Sequence, residues 1–311
     1  MKKYLVTGVN GFVGKYFVDY VLSVESDAEI MGLGLEEKTK VENIKYKSVN
    51  LCDGEQVYNI IEEYRPDYII HLAAVSSVSK SWEDPVGCFL NNNATFLNLA
   101  EAVRKLGLKT RILSVGSSEE YGIYNQPMKE SFILHPKSPY SVARLSQEYM
   151  SKLYVDNFDA DVVMTRSFNH IGPRQSTRFV IPSFIEQLVN IANGKIENKM
   201  MVGNIDVIRD FTDVRDVVDA YYRIIKNAPN RSVYNVCSGH GIKLRDIIDE
   251  TAKTLGIKPN IVVDKTRLRA NEIPSVIGDN SKLKNELGWK PKYTLKQTIS
   301  DMIKDIQDKG R

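Results

Sequence analysis

The sequence predicts an α/β protein built on a doubly wound parallel sheet, with a smaller lobe in its second half. Three observations carry that prediction. A glycine-rich turn, Thr7-Gly8-Val9-Asn10-Gly11-Phe12-Val13-Gly14, joins a short apolar run to an amphipathic stretch. Apolar runs and helix-period stretches then alternate regularly as far as residue 167. Strand after helix after strand at this regularity implies parallel pairing. Finally, the apolar runs end in small or polar residues, such as His71-Leu72-Ala73-Ala74 and Ser117-Ser118-Glu119. In such sheets ligands bind outside the carboxyl ends of the strands.

Taken in order, Tyr4-Leu5-Val6 reads as the first strand. Phe12, Val13, Tyr16, Phe17, Tyr20 and Val21 recur at helical spacing behind it. With a strand before and a helix after, the glycines read as a Rossmann-type dinucleotide turn of spacing G-x-x-G-x-x-G. Gly8 allows the tight turn, Gly11 lets the backbone approach a pyrophosphate, and Gly14 lets the helix pack on the strand. The helix N-terminus supplies free N–H groups to the phosphates.

The segment 28–34 reads as the second strand. An acid at its end would select a ribose 2′-hydroxyl and an Arg nearby a 2′-phosphate. Gly34, Leu35, Glu36 and Glu37 match neither cleanly, and Lys38 and Lys40 follow, so NAD and NADP both stay open. Residues 44–51 read as a third strand and 55–64 as a helix closed by Arg65-Pro66. Residues 67–74 read as a strand whose His71 is a packed strand-end histidine. A helix over 88–106, closed by Gly107, and a strand over 111–116 follow.

Ser138 and Pro139 read as the cap and first position of the next helix, which runs to about Phe158. Tyr140 and Arg144 then share one face, one turn apart. A phenol beside a fixed cation has a lowered pKa and can serve as acid or base. A strand over 161–166 closes the first domain, 1–167. In the lobe, 168–311, helices are expected over 179–192, 213–225, 244–255 and 295–306, an extended run over 202–211 and a strand over 233–236. The elements near 213–240 are expected to pack back onto the first domain.

Composition bounds the alternatives. Apolar residues make up 42% and charged residues 26%, ordinary for a globular protein. A net charge of +3 argues neither for nor against nucleic acid, and with no basic run to add to it no nucleic-acid partner is expected. Met1-Lys2-Lys3 before apolar residues imitates a signal peptide, but Asn10, the glycines and Lys15 interrupt it. No run is long enough to span a bilayer. The three cysteines show neither metal-ligand spacing nor a disulfide framework, so no metal and a cytoplasmic setting are expected.

Thr7-Gly8-x-x-Gly11-x-x-Gly14, His71-Leu72-Ala73-Ala74, Ser117-x-Glu119, Tyr140-x-x-x-Arg144 and Arg166-x-Phe168-Asn169-x-x-Gly172-Pro173 together resemble the extended short-chain dehydrogenase/reductases of nucleotide sugars. Three further stretches are similar to GDP-4-keto-6-deoxy-mannose reductases and, more distantly, to GDP-mannose 4,6-dehydratases. These are Phe168 to Pro173, Val202-Gly203-Asn204 through Asp216, and Gly278-Asp279-Asn280-Ser281-Lys282-Leu283 with Gly288-Trp289.

The resemblance implies Tyr140 as the proton donor or acceptor at the sugar C4 oxygen, with Ser117 bonded to the same oxygen. Residue 144 would also hold the nicotinamide ribose; the family has Lys there, and Arg keeps the charge without the compact ammonium. Gly8, Asn10, Gly11, Phe12, Val13 and Gly14 would face the pyrophosphate, and Asn50 and Leu51 the adenine. Leu72, Ala73 and Ala74 would lie by the cofactor, supported by Asn92. On the substrate side the resemblance implies Ser76, Asn169, Val180, Arg209 and Arg269, the arginines matching a diphosphate with their forks. A GDP-linked sugar as substrate and a homodimer formed through the helices of 88–106 and 138–158 are also implied. Glu119, two residues past Ser117, favours the alternative of 4,6-dehydration with tightly bound NAD, because the resemblance to the dehydratases implies an acid here that removes the C5 proton. An epimerase, or a dinucleotide-binding protein without catalysis, completes the set of readings.

Overall fold

The computed structural model describes residues 1–268 and 273–309. Its main sheet uses β1 (Lys3–Thr7), β2 (Glu29–Gly34), β3 (Lys45–Ser48), β4 (Tyr68–His71), β5 (Arg111–Ser117) and β6 (Asp161–Ser167). The helices between them are α1 (Phe12–Val24), α2 (Gly54–Tyr64), α3 (Val78–Glu83), α4 (Pro85–Lys105) and α5 (Pro139–Phe158). The second half runs β7 (Asn169–Ile171), α6 (Val180–Ala192), β8 (Met200–Val202), β9 (Ile208–Asp213), α7 (Val214–Asn227), β10 (Val233–Val236), β11 (Gly241–Lys243), α8 (Leu244–Leu255), β12 (Ile261–Val263), β13 (Ser275–Val276), α9 (Ser281–Leu287) and α10 (Leu295–Lys309).

The main sheet is parallel throughout, in the order β3-β2-β1-β4-β5-β6-β10. The chain runs outward from β1 to β3, then crosses back to place β4 on the other side of β1. That reversal opens a crevice at the carboxyl ends of β1 and β4, where ligands of such sheets lie. Both faces are covered, which is why the strands are apolar without alternation. Tyr4 and Val6 pack on one face with α1 and α7, while Leu5 packs on the other with α2 and α4.

Short side-chain turns fix where several elements stop. Asn50 Oδ1 accepts from Cys52 N at 3.0 Å, so the third strand ends at Ser48 rather than Leu51. The extended run expected over 202–211 is two strands, β8 and β9, parted by a turn in which Asn204 Oδ1 takes Asp206 N. The short α3, capped by Ser77, was not anticipated from the sequence.

In the lobe, β9 pairs with β7, β11 and β13. Its core gathers Phe184, Ile185, Leu188, Val202, Ile247 and Ile303, separate from the cores of the main sheet. Chain order and packing do not coincide. α7 lies against α1, and β10 forms the edge of the main sheet. Trp289 is fully buried there and donates Nε1–H to the Asp216 carbonyl, while the Asp216 carboxylate accepts from Lys292 N and Tyr293 N.

Candidate active site

The turn after β1 is built to hold its backbone against the end of β4. Gly8 is left-handed (φ 65°), and a β-carbon on it would stand 3.0 Å from Ala73 Cα. A β-carbon on Gly14 would meet the Val9 backbone at 2.4 Å, so α1 can begin this close only with glycine there. Gly11, before α1, caps it with no side chain, leaving the first N–H groups for an anion. Phe12 stacks on His170, ring centroids 6.0 Å apart, and Val13 packs toward the core.

Thr7 locks this turn. Its Oγ1 accepts from Leu72 N and Ala73 N, both at 3.1 Å, so its own O–H must donate to His71 Nδ1 at 3.0 Å. His71 is therefore a neutral, fully buried imidazole, as read from its place at a strand end. Burial first, and then the Arg144 charge, push its pKa down to about 3. The unfolded chain takes a proton on this His near pH 6.5 that the folded chain refuses. Stability from this group is thus complete above pH 6.5 and falls as pH drops toward 3, by about 1.4 kcal/mol per unit. Denaturant titrations between pH 6.5 and 4.5 should show that slope in the parent and lose it in His71→Gln; equal slopes would refute it.

Asn92 is buried and grips the next loop, accepting from Val75 N at 2.8 Å and donating to Val75 O at 3.1 Å. It thus supports the Ala73–Ser76 segment from beneath. Ala73 and Ala74 are half-buried above it and Ser76 is exposed. The Leu51 side chain is buried with Val57, Ile61 and Phe96, and its carbonyl accepts from Asn98. Asn50 beside it is exposed.

The second half of the site comes from α5 and β5, which pack together. Ser138 caps α5, accepting from Ser141 N, while Ser141 Oγ accepts from Ser138 N. That reciprocal cap and Pro139 fix the phase of the helix, and so the direction of Tyr140. Arg144 Nε donates to the Tyr140 hydroxyl at 3.3 Å. Its Nη1 donates to Val115 O at 3.0 Å and to Gln147 Oε1 at 2.8 Å, and Gln147 Nε2 donates to Ser114 Oγ. Arg144 is therefore drawn onto β5, with Nε left toward the phenol. Gln147, which sequence reasoning passed over, receives the longer side chain.

Ser117 ends β5 and is buried. Its Oγ accepts from Glu119 N at 3.2 Å, and its own N–H donates to Glu120 Oε1 at 2.7 Å. Glu120 is fully buried, and burial followed by the neighbouring Glu148 charge raises its pKa well above the carboxylate range. Its carboxyl holds the backbone of Ser117. Burial also works against charge on Glu148, but Arg166 and Lys152 outweigh it and keep that carboxylate ionised. Arg166 meets it with two bonds of 2.8 Å and also donates to the Tyr121 hydroxyl and the Glu130 carbonyl. Glu120, Gln147 and Glu148 escaped the sequence reading; the helical spacing of 144, 147 and 148 is the one signal that marked the last two. Glu119 is half-buried in the turn beyond Ser117.

The substrate-side residues sit on separate elements. Asn169 is exposed on β7, opposite Phe211 of β9, and Arg209 lies two residues before Phe211, on the same side of that strand. Arg209 Nη1 donates to Ile208 O at 2.8 Å. Val180 opens α6, exposed. Arg269 lies outside the described residues.

The sequence pattern of the GDP-mannose 4,6 dehydratase family matches residues 5–302. The chain belongs to this family. Among its relatives, the GDP-6-deoxy-D-mannose reductase of Pseudomonas aeruginosa is 32% identical over 100% of this chain and 99% of the relative. A GDP-mannose 4,6-dehydratase of Vibrio cholerae serotype O1 is 28% identical over 96% of this chain and 92% of its own. The solved structure of RMD from Pseudomonas aeruginosa complexed with NADPH, 32% identical, superposes with a TM-score of 0.89 over 99% of this chain and 100% of that one. The doubly wound sheet, its lobe and the family implied by the motifs are thus those found.

Proposed function

We propose that this chain is an NAD(P)H-dependent reductase acting on the C4 ketone of a GDP-linked 4-keto-6-deoxy-hexose, giving a GDP-6-deoxy-mannose type product. One observation carries the reading: the Gly8 turn and the Tyr140–Arg144 pair meet the carboxyl edge of one parallel sheet, in a chain that corresponds end to end with a reductase of such a sugar. When bound, the nicotinamide supplies the hydride. The chain's own residues handle the proton. Arg144 Nε–H donates to Tyr140, so the phenol's hydrogen is left to donate outward. Ser117 Oγ accepts from Glu119 N, so its hydrogen too is left to donate. Two donors then serve the ketone oxygen as it gains charge, and Tyr140 completes the transfer by giving its proton. The Gly8 turn and the start of α1 hold the cofactor pyrophosphate, and Arg209 with Arg269 the GDP diphosphate.

Glu119 favours a second reading, 4,6-dehydration of a GDP-hexose with retained NAD. The assay is GDP-mannose alone, set against GDP-4-keto-6-deoxy-mannose with NADH or NADPH. Reduced cofactor consumed only in the second mixture is expected. A 4-keto product from GDP-mannose with no cofactor added would overturn the reductase in favour of the dehydratase.

The same preparation should sediment as a homodimer. The neighbouring α4 and α5 turn Val86, Leu90, Val142, Tyr149 and Leu153 to solvent, beside an open depression of about 500 Å³ lined by Trp82, Phe89, Pro139 and Val142. Three unpaired cysteines support a reducing, cytoplasmic setting. Among the described residues no helix is long and apolar enough to cross a membrane.

A further inference from the structure

We propose that Glu36 makes this chain select NAD(H) over NADP(H). The inference rests on the dinucleotide reading of the Gly8 turn. After β2 the sequence offers Gly34, Leu35, Glu36 and Glu37, then Lys38 and Lys40, and leaves open which of them meets the adenosine ribose. The fold decides it. Beyond Gly34 the chain turns back, and Glu36 Oε2 lies 2.9 Å from where a β-carbon on Gly34 would stand. The carboxylate thus occupies the strand end, although it belongs to a residue two positions later. Gly34 is what makes room for it.

Four contacts hold the acid there. Asn10 Nδ2 donates to Glu36 Oε2 at 2.9 Å and to Lys38 O at 3.4 Å. The Tyr46 hydroxyl donates to the Glu36 carbonyl at 2.6 Å, and Thr39 Oγ1 donates to Asn10 Oδ1 at 2.6 Å. Asn10 stands between Gly8 and Gly11, so the acid is tied to the turn expected to take the pyrophosphate. The Asn10 bond also holds the Glu36 carboxyl below its ordinary range, and it is charged at neutral pH. A fixed carboxylate at this strand end accepts from a ribose hydroxyl and repels a phosphate in the same place. Lys38 and Lys40, the nearest cations along the chain, are exposed as Glu36 is, but Asn10 holds the Glu36 carboxylate and only the backbone of Lys38. Asn10 therefore has a second use: besides facing the phosphates, it aims the acid that reads the ribose.

The test is a fluorescence titration of the full chain with NADH and with NADPH, no sugar present, for the parent and Glu36→Gln. The parent should bind NADH about tenfold or more tightly than NADPH, the scale of one like-charge contact near a protein surface. Glu36→Gln should bring the two affinities to within about threefold, mainly by tightening NADPH. NADPH bound as tightly as NADH by the parent, or a ratio unchanged in Glu36→Gln, would overturn the inference alone. Binding of neither cofactor would overturn it together with the dinucleotide reading beneath it.

Discussion

Tyr140→Phe should lower turnover by about 10²- to 10⁴-fold, the range set by loss of a positioned general acid. Cofactor affinity should change little. The phenol is buried at the start of a helix whose cap fixes its phase, so Phe will occupy the same space and lack only the oxygen. Among the described residues Arg144 Nε donates to that oxygen, and its hydrogen has no other use in the proposed reaction than the C4 oxygen. Ser117 remains in Tyr140→Phe and can still donate, but its aliphatic hydroxyl is a far weaker acid than the phenol. Fall in kcat with unchanged NADH or NADPH binding is the expected pattern; undiminished turnover would remove Tyr140 from the proton transfer.

Arg166→Ala should cost about 3–5 kcal/mol of stability, the usual result of removing one partner from a buried ion pair. The guanidinium meets Glu148 twice, the Tyr121 hydroxyl and the Glu130 carbonyl, and both members of the pair are almost wholly buried. Without it Glu148 faces the buried Glu120 with Lys152, among the described residues, to offset its charge. In the parent the depressed Glu148 pKa contributes stability above the unfolded value, and that part is lost as pH falls through the folded value. Arg166→Ala should lose less on acidification than the parent, since protonating Glu148 now relieves strain. Equal loss in parent and variant, or a change in stability under 1 kcal/mol by denaturant titration, roughly the worth of an exposed pair, would refute this account.

The parts of the site that depend on local geometry were legible from residues alone. Gly8 and Gly14 sit at a strand-to-helix turn, where neither has room for a β-carbon, and a glycine pattern between a strand and a helix says as much. Ser138-Pro139 marked the start of α5, and helical spacing then placed Tyr140 beside Arg144. What was not legible depends on elements distant in sequence. Helical spacing put Arg144 on the Tyr140 face, but did not show that its fork goes to Val115 O and Gln147, which follows from α5 packing on β5 at that point. Glu120 follows Glu119 in an acidic run, and only the surrounding core shows that it is buried, pushed toward the protonated form and bonded to Ser117. Glu36 and Glu37 were indistinguishable until Asn10 and Tyr46, from two other segments, singled one out.

The way β10 and α7 join the first half bears on how this protein can be taken apart. A fragment ending at residue 167 would leave β6 as an unpaired parallel edge and strip α1 of the helix that covers it. It would also lose Trp289 and the Asp216 anchor from the shared core. The cofactor half is therefore not a detachable cassette. A chimera that exchanges lobes between relatives has to carry Val214–Val236 with the first 167 residues, so that the crossover points fall inside the lobe and not at its start.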